Sequence, residues 1–234
     1  TAPLGMIRCF PAGKTLGASL SQVDGAITRY PGVGVMWSTF MAGRNFTDAQ
    51  VAEFARQIRA RADKLPWLDI AVDAEPDRKD RPYTPAQFVA GFARLKAAVG
   101  AHPKIRWVLN LTGYQFAQRI GAYEAAFPLT DVLAVDPYWR HDQKPNPMQG
   151  SKQDVLDAKA WADARGLAFA WGEWGCDQGA NQIANLHLAF DLVEAVRPDR
   201  LPYFHNVGGT GHGSWLSGDS WAVYRTHLTN LQGA

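Results

Sequence analysis

Short apolar runs alternate along this chain with longer segments whose apolar positions recur every three to four residues. A short run buried on both faces reads as a strand of a parallel sheet, and a 3.6-residue period reads as a helix packed on it. The expected strands are "LGMIRCF" (4–10), "GVGVMWSTF" (32–40), "LDIAVDAE" (68–75), "IRWVLNLT" (105–112), "VLAVDPYW" (132–139), "AFAWGEWG" (168–175) and "PYFHNVGG" (202–209). A short helix is expected between the first two. From Thr47 to Leu65, Val51, Phe54, Ala55 and Ile58 share one helical face behind a Thr47 cap. The segment 84–100 has Thr84 as cap, Pro85 at the first helical position and Gly100 just past the end. Further helices are expected over 151–166, closed by Gly166, over about 181–196, and through Trp221 to Leu231. Strand and helix alternate with no low-complexity linker and no internal repeat. That pattern predicts one domain over 1–234, an α/β fold of the (β/α)8 TIM-barrel type. Seven strands fall one short of closure, so the first βα unit is expected to lie upstream of this chain or to be absent.

Composition narrows the function classes. The chain has 234 residues, 47% of them hydrophobic, which is ample for one packed core. Its net charge is +2, and Lys and Arg form no block, which argues against nucleic acid and anionic membrane surfaces as partners. No apolar run approaches membrane-spanning length. Nine Trp and seven Tyr exceed what such a core needs, and aromatics in loops stack on sugar faces or nucleobases. Thr1 begins the chain without a charged-then-apolar leader, so it reads as a trimmed or processed product. Cys9 and Cys176 lie far apart amid apolar neighbours and read as two buried thiols, with a disulfide left open.

In parallel α/β barrels the chemistry sits at the C-terminal strand ends, and here those ends are loaded with polar groups. They carry Arg8, Asp73, Glu75, Asn110, Asp136, Tyr138, Glu173 and His205. A lone strand-end Glu is often a loop salt-bridge partner, and an Asp before Pro is a common turn former. Two Glu on separate strand ends amid apolar and aromatic neighbours are harder to dismiss, because burying an unpaired charge costs several kcal/mol. Glycosidic bond cleavage requires two carboxyls, one to protonate the leaving oxygen and one to attack the anomeric carbon or activate water. Trp171 and Trp174 beside Glu173 would lower the local dielectric and raise a carboxyl pKa. Arg8 would hold a carboxylate ionised, and Tyr138 would donate to the nucleophile. Asp73 is expected one layer below Glu75, where it modulates that residue or pairs with Arg8 or Arg106. Asn110, Asp136 and His205 are expected to touch substrate, with Trp37, Trp139, Trp171, Trp174 and Trp215 as sugar platforms. The six His are scattered, with no close pair on an expected strand, and neither metal nor organic cofactor is implied.

These residues bear a family resemblance. "DAEPD" (73–77) and "WGEWG" (171–175), with two strands between them, resemble the retaining glycoside hydrolases of the large (β/α)8 clan. That clan places its acid/base on strand 4 and its nucleophile on strand 7. "PLGMIRCFPAG", "GVGVMWSTF", "VLAVDPYW" and "AFAWGEWG" look like strands 2, 3, 6 and 7 of family 26 (mannanase-type) hydrolases and their actinobacterial relatives. The resemblance implies Glu75 as acid/base, Glu173 as nucleophile with Tyr138 near it, and a glycan as partner; a monomer and an extracellular setting are separate expectations. It departs at Ala74, where relatives carry His or Asn, which leaves the sugar open. Two alternatives stand beside it. "DIAVDAE" resembles the strand of family 18 hydrolases of N-acetylated glycans, although Ala71 breaks its earlier Asp and "WGEWG" has no task in that mechanism. A non-catalytic glycan-binding barrel is the other.

Overall fold

The computed structural model describes residues 6–10, 16–17, 20–39, 45–139, 147–176, 182–200, 216 and 218–233. Strand β1 (Met6–Cys9) is followed by α1 (Leu20–Arg29), β2 (Gly34–Thr39), α2 (Asp48–Ala62), β3 (Leu68–Val72) and α3 (Pro85–Val99). Then come β4 (Ile105–Thr112), α4 (Phe116–Arg119), a 3-10 segment (Ile120–Leu129), β5 (Val132–Asp136) and the short β6 (Tyr138–Trp139). The chain continues through α5 (Pro147–Asp163), β7 (Ala168–Trp171), the short β8 (Gly175–Cys176), α6 (Gln182–Val196) and α7 (Gly218–Gly233). Six strands form one sheet in the order β1-β2-β3-β4-β5-β7, every pair parallel.

Side-chain size explains the curl of this sheet. On the inner face, Met6, Met36, Ala71, Val108, Val132, Ala134 and Ala170, drawn from all six strands, form one fully buried cluster. Alanines on three of these strands leave room for the sheet to curl over this face. Asp69 closes the N-terminal end of this interior, where the Arg106 fork holds it through Nε at 2.9 Å and Nη2 at 2.8 Å. The alternate residues, among them Ile70, Leu109, Val135 and Phe169, face outward into the larger core beneath the helices. This is an α/β half-barrel. At Arg200 the chain lies parallel beside Ala170, and Trp171 N donates to Arg200 O at 3.2 Å. The expected strand 202–209 lies outside the described residues, together with His205 and Trp215.

Local signals place the helices as expected. Thr47 with Gln50 and Thr84 with Gln87 each form a reciprocal capping box, Pro85 occupies the first turn of α3, and Gly100 (φ 68°) ends it. Two differences stand out. The segment 116–129 is helical, which its low amphipathic contrast concealed. The runs 68–75, 132–139 and 168–175 stop as strands at Val72, Asp136 and Trp171, so Glu75, Tyr138 and Glu173 stand past the ends of β3, β5 and β7. Cys9 and Cys176 are free and buried. Among the described residues no helix is long and apolar enough to cross a membrane.

Candidate active site

Glu75 is carried by a strained turn just past its strand. Asp73 and Glu75 adopt φ of 52° and 53°, the left-handed region that non-glycine residues enter at a cost of about 1–3 kcal/mol each. The surrounding structure over-determines this turn. Asp73 N donates to Thr39 O at 2.9 Å, and Glu75 N donates to Asn110 O at 3.0 Å. The Arg81 guanidinium donates to the carbonyls of Ala74 and Glu75. Tyr123 Oη donates to Pro76 O at 2.6 Å, and the buried Asp77 accepts from Thr112 N at 2.9 Å and from Arg119 at 3.2 Å. Clamping from strands β2 and β4, from α4 and from the 3-10 segment fixes where the Glu75 carboxyl points.

Glu173 arrives from the other side of the sheet, in the break between β7 and β8. Tyr138, on β6, donates its hydroxyl to Glu173 Oε2 at 2.7 Å. Burial and the Glu173 charge push the Tyr138 hydroxyl far above its ordinary range, so it stays a donor. Burial, then the Glu173 charge, raises the Glu75 pKa against the pull of Arg78. Arg78 Nη1 lies 3.1 Å from Glu75 Oε2, but its side chain is 49% exposed while that of Glu75 is 19% exposed. Water therefore screens the cation more than it solvates the acid, and burial wins. The arrangement holds one carboxyl toward its protonated form and gives the other a hydrogen-bond donor that favours its ionised form.

A cleft of about 500 Å³ opens over this end of the sheet. Glu75, Asp136 and Tyr138 form part of its lining, with Arg78, Tyr114 and Arg119 beside them. Glu173 is not itself in that lining; it is partly buried and reaches the cleft through its bond to Tyr138. Tyr114 is 54% exposed, with Arg119 5.5 Å from its ring centroid. Tyr114 stands just past a strand end that the sequence marked as polar, whereas Arg78 and Arg119 were not among the expected site residues. Arg78 had a signal, since it stands three positions after Glu75 in a turn, whereas Arg119 sits in the helical segment the pattern did not reveal.

Other expected site residues are placed differently. Trp37, Trp171 and Trp174 are 0% exposed and belong to the core beneath the helices. Trp37 packs on Phe54 at 5.9 Å, and Trp174 packs on Trp171, Phe190 and Tyr224 at 5.7, 5.4 and 6.0 Å. Strand alternation turns Trp37 and Trp171 outward, and all three, fully buried, are removed as sugar platforms. Asp73 is buried, and after burial its charge is the largest influence raising the Tyr83 pKa. Arg106 is engaged by Asp69, which corrects the expected Asp73–Arg106 pair. Arg8 lies over the Phe10 ring at 4.6 Å, and its charge favours ionisation of Asp136. Trp139 lies in β6, paired with Cys176. Asn110 is fully buried beneath the cleft and donates to Asp136 Oδ2 at 2.7 Å.

Gly172, just before Glu173, is required by this packing. A Cβ there would overlap Asn110 Oδ1 and Asp136 Oδ1. Gly172→Ala is expected to destabilise the fold by about 1–3 kcal/mol, the range for overpacking. Urea denaturation checks this, and an unchanged midpoint would count against the close approach.

No protein-family model matches the sequence, and no curated protein matches it at the sequence level. Solved structures match in fold. The catalytic domain of a GH26 endo-β-1,4-mannanase from Bacillus sp. JAMB-750 is 12% identical with a TM-score of 0.64, over 93% of this chain and 68% of that one. A glucosidase from Croceicoccus marinus is 11% identical with a TM-score of 0.66, over 97% of this chain and 62% of that one. An exo-β-1,4-mannosidase from Opitutaceae bacterium strain TAV5 is 17% identical with a TM-score of 0.65, over 97% of this chain and 53% of that one. The chain thus spans about half to two thirds of the length of these proteins. At such identities the likeness is one of fold.

Proposed function

We propose that this chain is a glycoside hydrolase acting on a polysaccharide or oligosaccharide by double displacement with net retention, built on a (β/α)8 barrel related to family 26. Glu75 protonates the glycosidic oxygen as the C1–O bond breaks, and the Glu173 carboxylate forms a bond to the anomeric carbon. Glu75, now ionised, takes a proton from water, whose oxygen displaces Glu173 and frees the sugar with its original configuration. Tyr138 holds Glu173 by a hydrogen bond, and Tyr114 offers an exposed ring at the cleft wall for a sugar face. No cofactor enters this chemistry.

The observation that carries the reading is electrostatic. Two glutamates nearly a hundred residues apart in sequence act on each other at one end of one sheet, and the charge of Glu173 raises the pKa of Glu75. A pair of carboxyls whose environments favour different protonation states is what acid-plus-nucleophile chemistry needs. The fold shared with the mannanase, glucosidase and mannosidase agrees with it. The test is a panel of β-1,4-mannan, β-1,4-glucan, β-1,3-glucan and chitin oligosaccharides, with the first product anomer followed by NMR. Release of the β-anomer from a β-linked substrate supports retention, and the α-anomer overturns it. Binding without turnover of any member would return the chain to the glycan-binding alternative.

A further inference from the structure

The floor of the cleft holds a third carboxyl, Asp136, for which the two-glutamate chemistry has no use. Asn110 is 0% exposed and Asp136 3% exposed, and Asn110 Nδ2 donates to Asp136 Oδ2 at 2.7 Å. Their remaining oxygens, Asn110 Oδ1 and Asp136 Oδ1, are both buried without a hydrogen-bond partner among the described residues. Both converge on the point where a Cβ of residue 172 would stand. Two bare acceptors converging in a buried site repel and leave two desolvated oxygens unsatisfied. Exchanging the amide oxygen and nitrogen only moves the conflict to the other edge of the pair. A single proton on the carboxyl removes it: the acid O–H donates to the amide oxygen while the amide N–H donates to the acid carbonyl, and a closed ring satisfies both edges.

We propose that Asp136 is a standing neutral carboxylic acid, locked in a two-bond ring with Asn110, and that it is a positioning residue supporting the floor of the site without adding charge. The groups that face it agree. Burial and the charges of Glu173 and Glu75 raise its pKa, against Arg8 of β1 and the Asn110 hydrogen bond. An ionised Asp136 would put a third negative charge beside the glutamates and hinder both ionisation of Glu173 and proton release from Glu75. As a neutral acid it leaves that pair to divide one proton between them. Gly172 is the opening through which the ring fits. The positional role rests on the proposed function, whereas the protonation state stands on the geometry alone.

The test is made on the full chain without substrate. With 13C-labelled aspartate, Asp136 Cγ, assigned through bonds in the wild type, is expected at its protonated position at pH 7 and absent in Asp136→Asn. The infrared C=O stretch of a buried carboxylic acid should vanish in the same variant. Asparagine can rebuild the ring with two amide bonds, so the variant is expected to fold. Linkage gives a second readout. A folded-state pKa raised above the unfolded value means that stability present at low pH is lost as pH rises toward the folded pKa. The folding equilibrium of Asp136→Asn relative to wild type should therefore improve about tenfold per pH unit from about pH 5 upward. A carboxylate signal for Asp136 at pH 7, or a stability difference independent of pH, overturns the proposal. Neither readout involves hydrolysis, so a failed search for a glycan substrate leaves this result standing.

Discussion

On the proposed double-displacement chemistry, Glu173→Ala is expected to lower glycan turnover by on the order of 10^4- to 10^6-fold, the scale on which loss of a covalent nucleophile acts, with the melting temperature nearly unchanged. The variant removes the group that accepts from Tyr138 at 2.7 Å and vacates the space in which the proposed attack on the anomeric carbon takes place. Azide can then enter that space and displace a good leaving group, which gives a glycosyl azide of inverted configuration. The Glu75 proton is affected as well. The Glu173 charge raises the Glu75 pKa, so Glu75 should titrate at lower pH in the variant. Substantial residual hydrolysis of N-acetylated substrates by Glu173→Ala would instead favour the substrate-assisted alternative, in which the sugar's own acetamido group is the nucleophile.

What the sequence disclosed about this site, and what it hid, follows from the range of the forces involved. Capping residues act within one turn, so Thr47, Thr84, Pro85 and Gly100 marked their helices from composition alone. Strand order was legible because parallel βα units leave few topologies. The period of two also carried information, since it put Asp69, Ala71 and Asn110 on the inner face. The same period turned Trp37 and Trp171 outward, and assigning them to the cleft gave their size more weight than their parity. Glu75 itself shows where pattern reading ends. Alternation would place it inward on a continuous strand, but the strand stops at Val72, and two left-handed residues deliver the side chain instead. Of the clamps that make that backbone tolerable, Arg81 lies only six residues past Glu75, but Tyr123 comes from a segment 47 positions past Pro76, and no local window reaches it. Asn110 and Asp136 were visible as polar residues on inner parity, but that they bond to each other beneath the cleft depends on a register between β4 and β5.

Glu75→Ala is expected to cut kcat on poor leaving groups by about 10^2- to 10^4-fold, the usual worth of a general acid, while aryl glycosides with activated leaving groups lose far less in their first step. The pH profile separates this role from that of Glu173. As an acid, Glu75 works only while protonated, and burial together with the Glu173 charge raises its pKa, so wild-type activity should fall as pH rises through that raised value. In Glu75→Ala the alkaline limb should disappear for activated substrates, because their leaving groups need no proton. Added azide should then intercept the glycosyl-enzyme and give a glycosyl azide of retained configuration, opposite to the Glu173→Ala product. Stability carries the same signature with a defined sign. Folding raises the Glu75 pKa, so wild type gains no stability from ionising Glu75 and loses some as pH climbs from about 4.3, the unperturbed Glu value, toward the folded pKa, whereas Glu75→Gln lacks that loss. An alkaline limb that survives unchanged in Glu75→Ala would assign the titrating acid to another residue and remove Glu75 from the proposed chemistry.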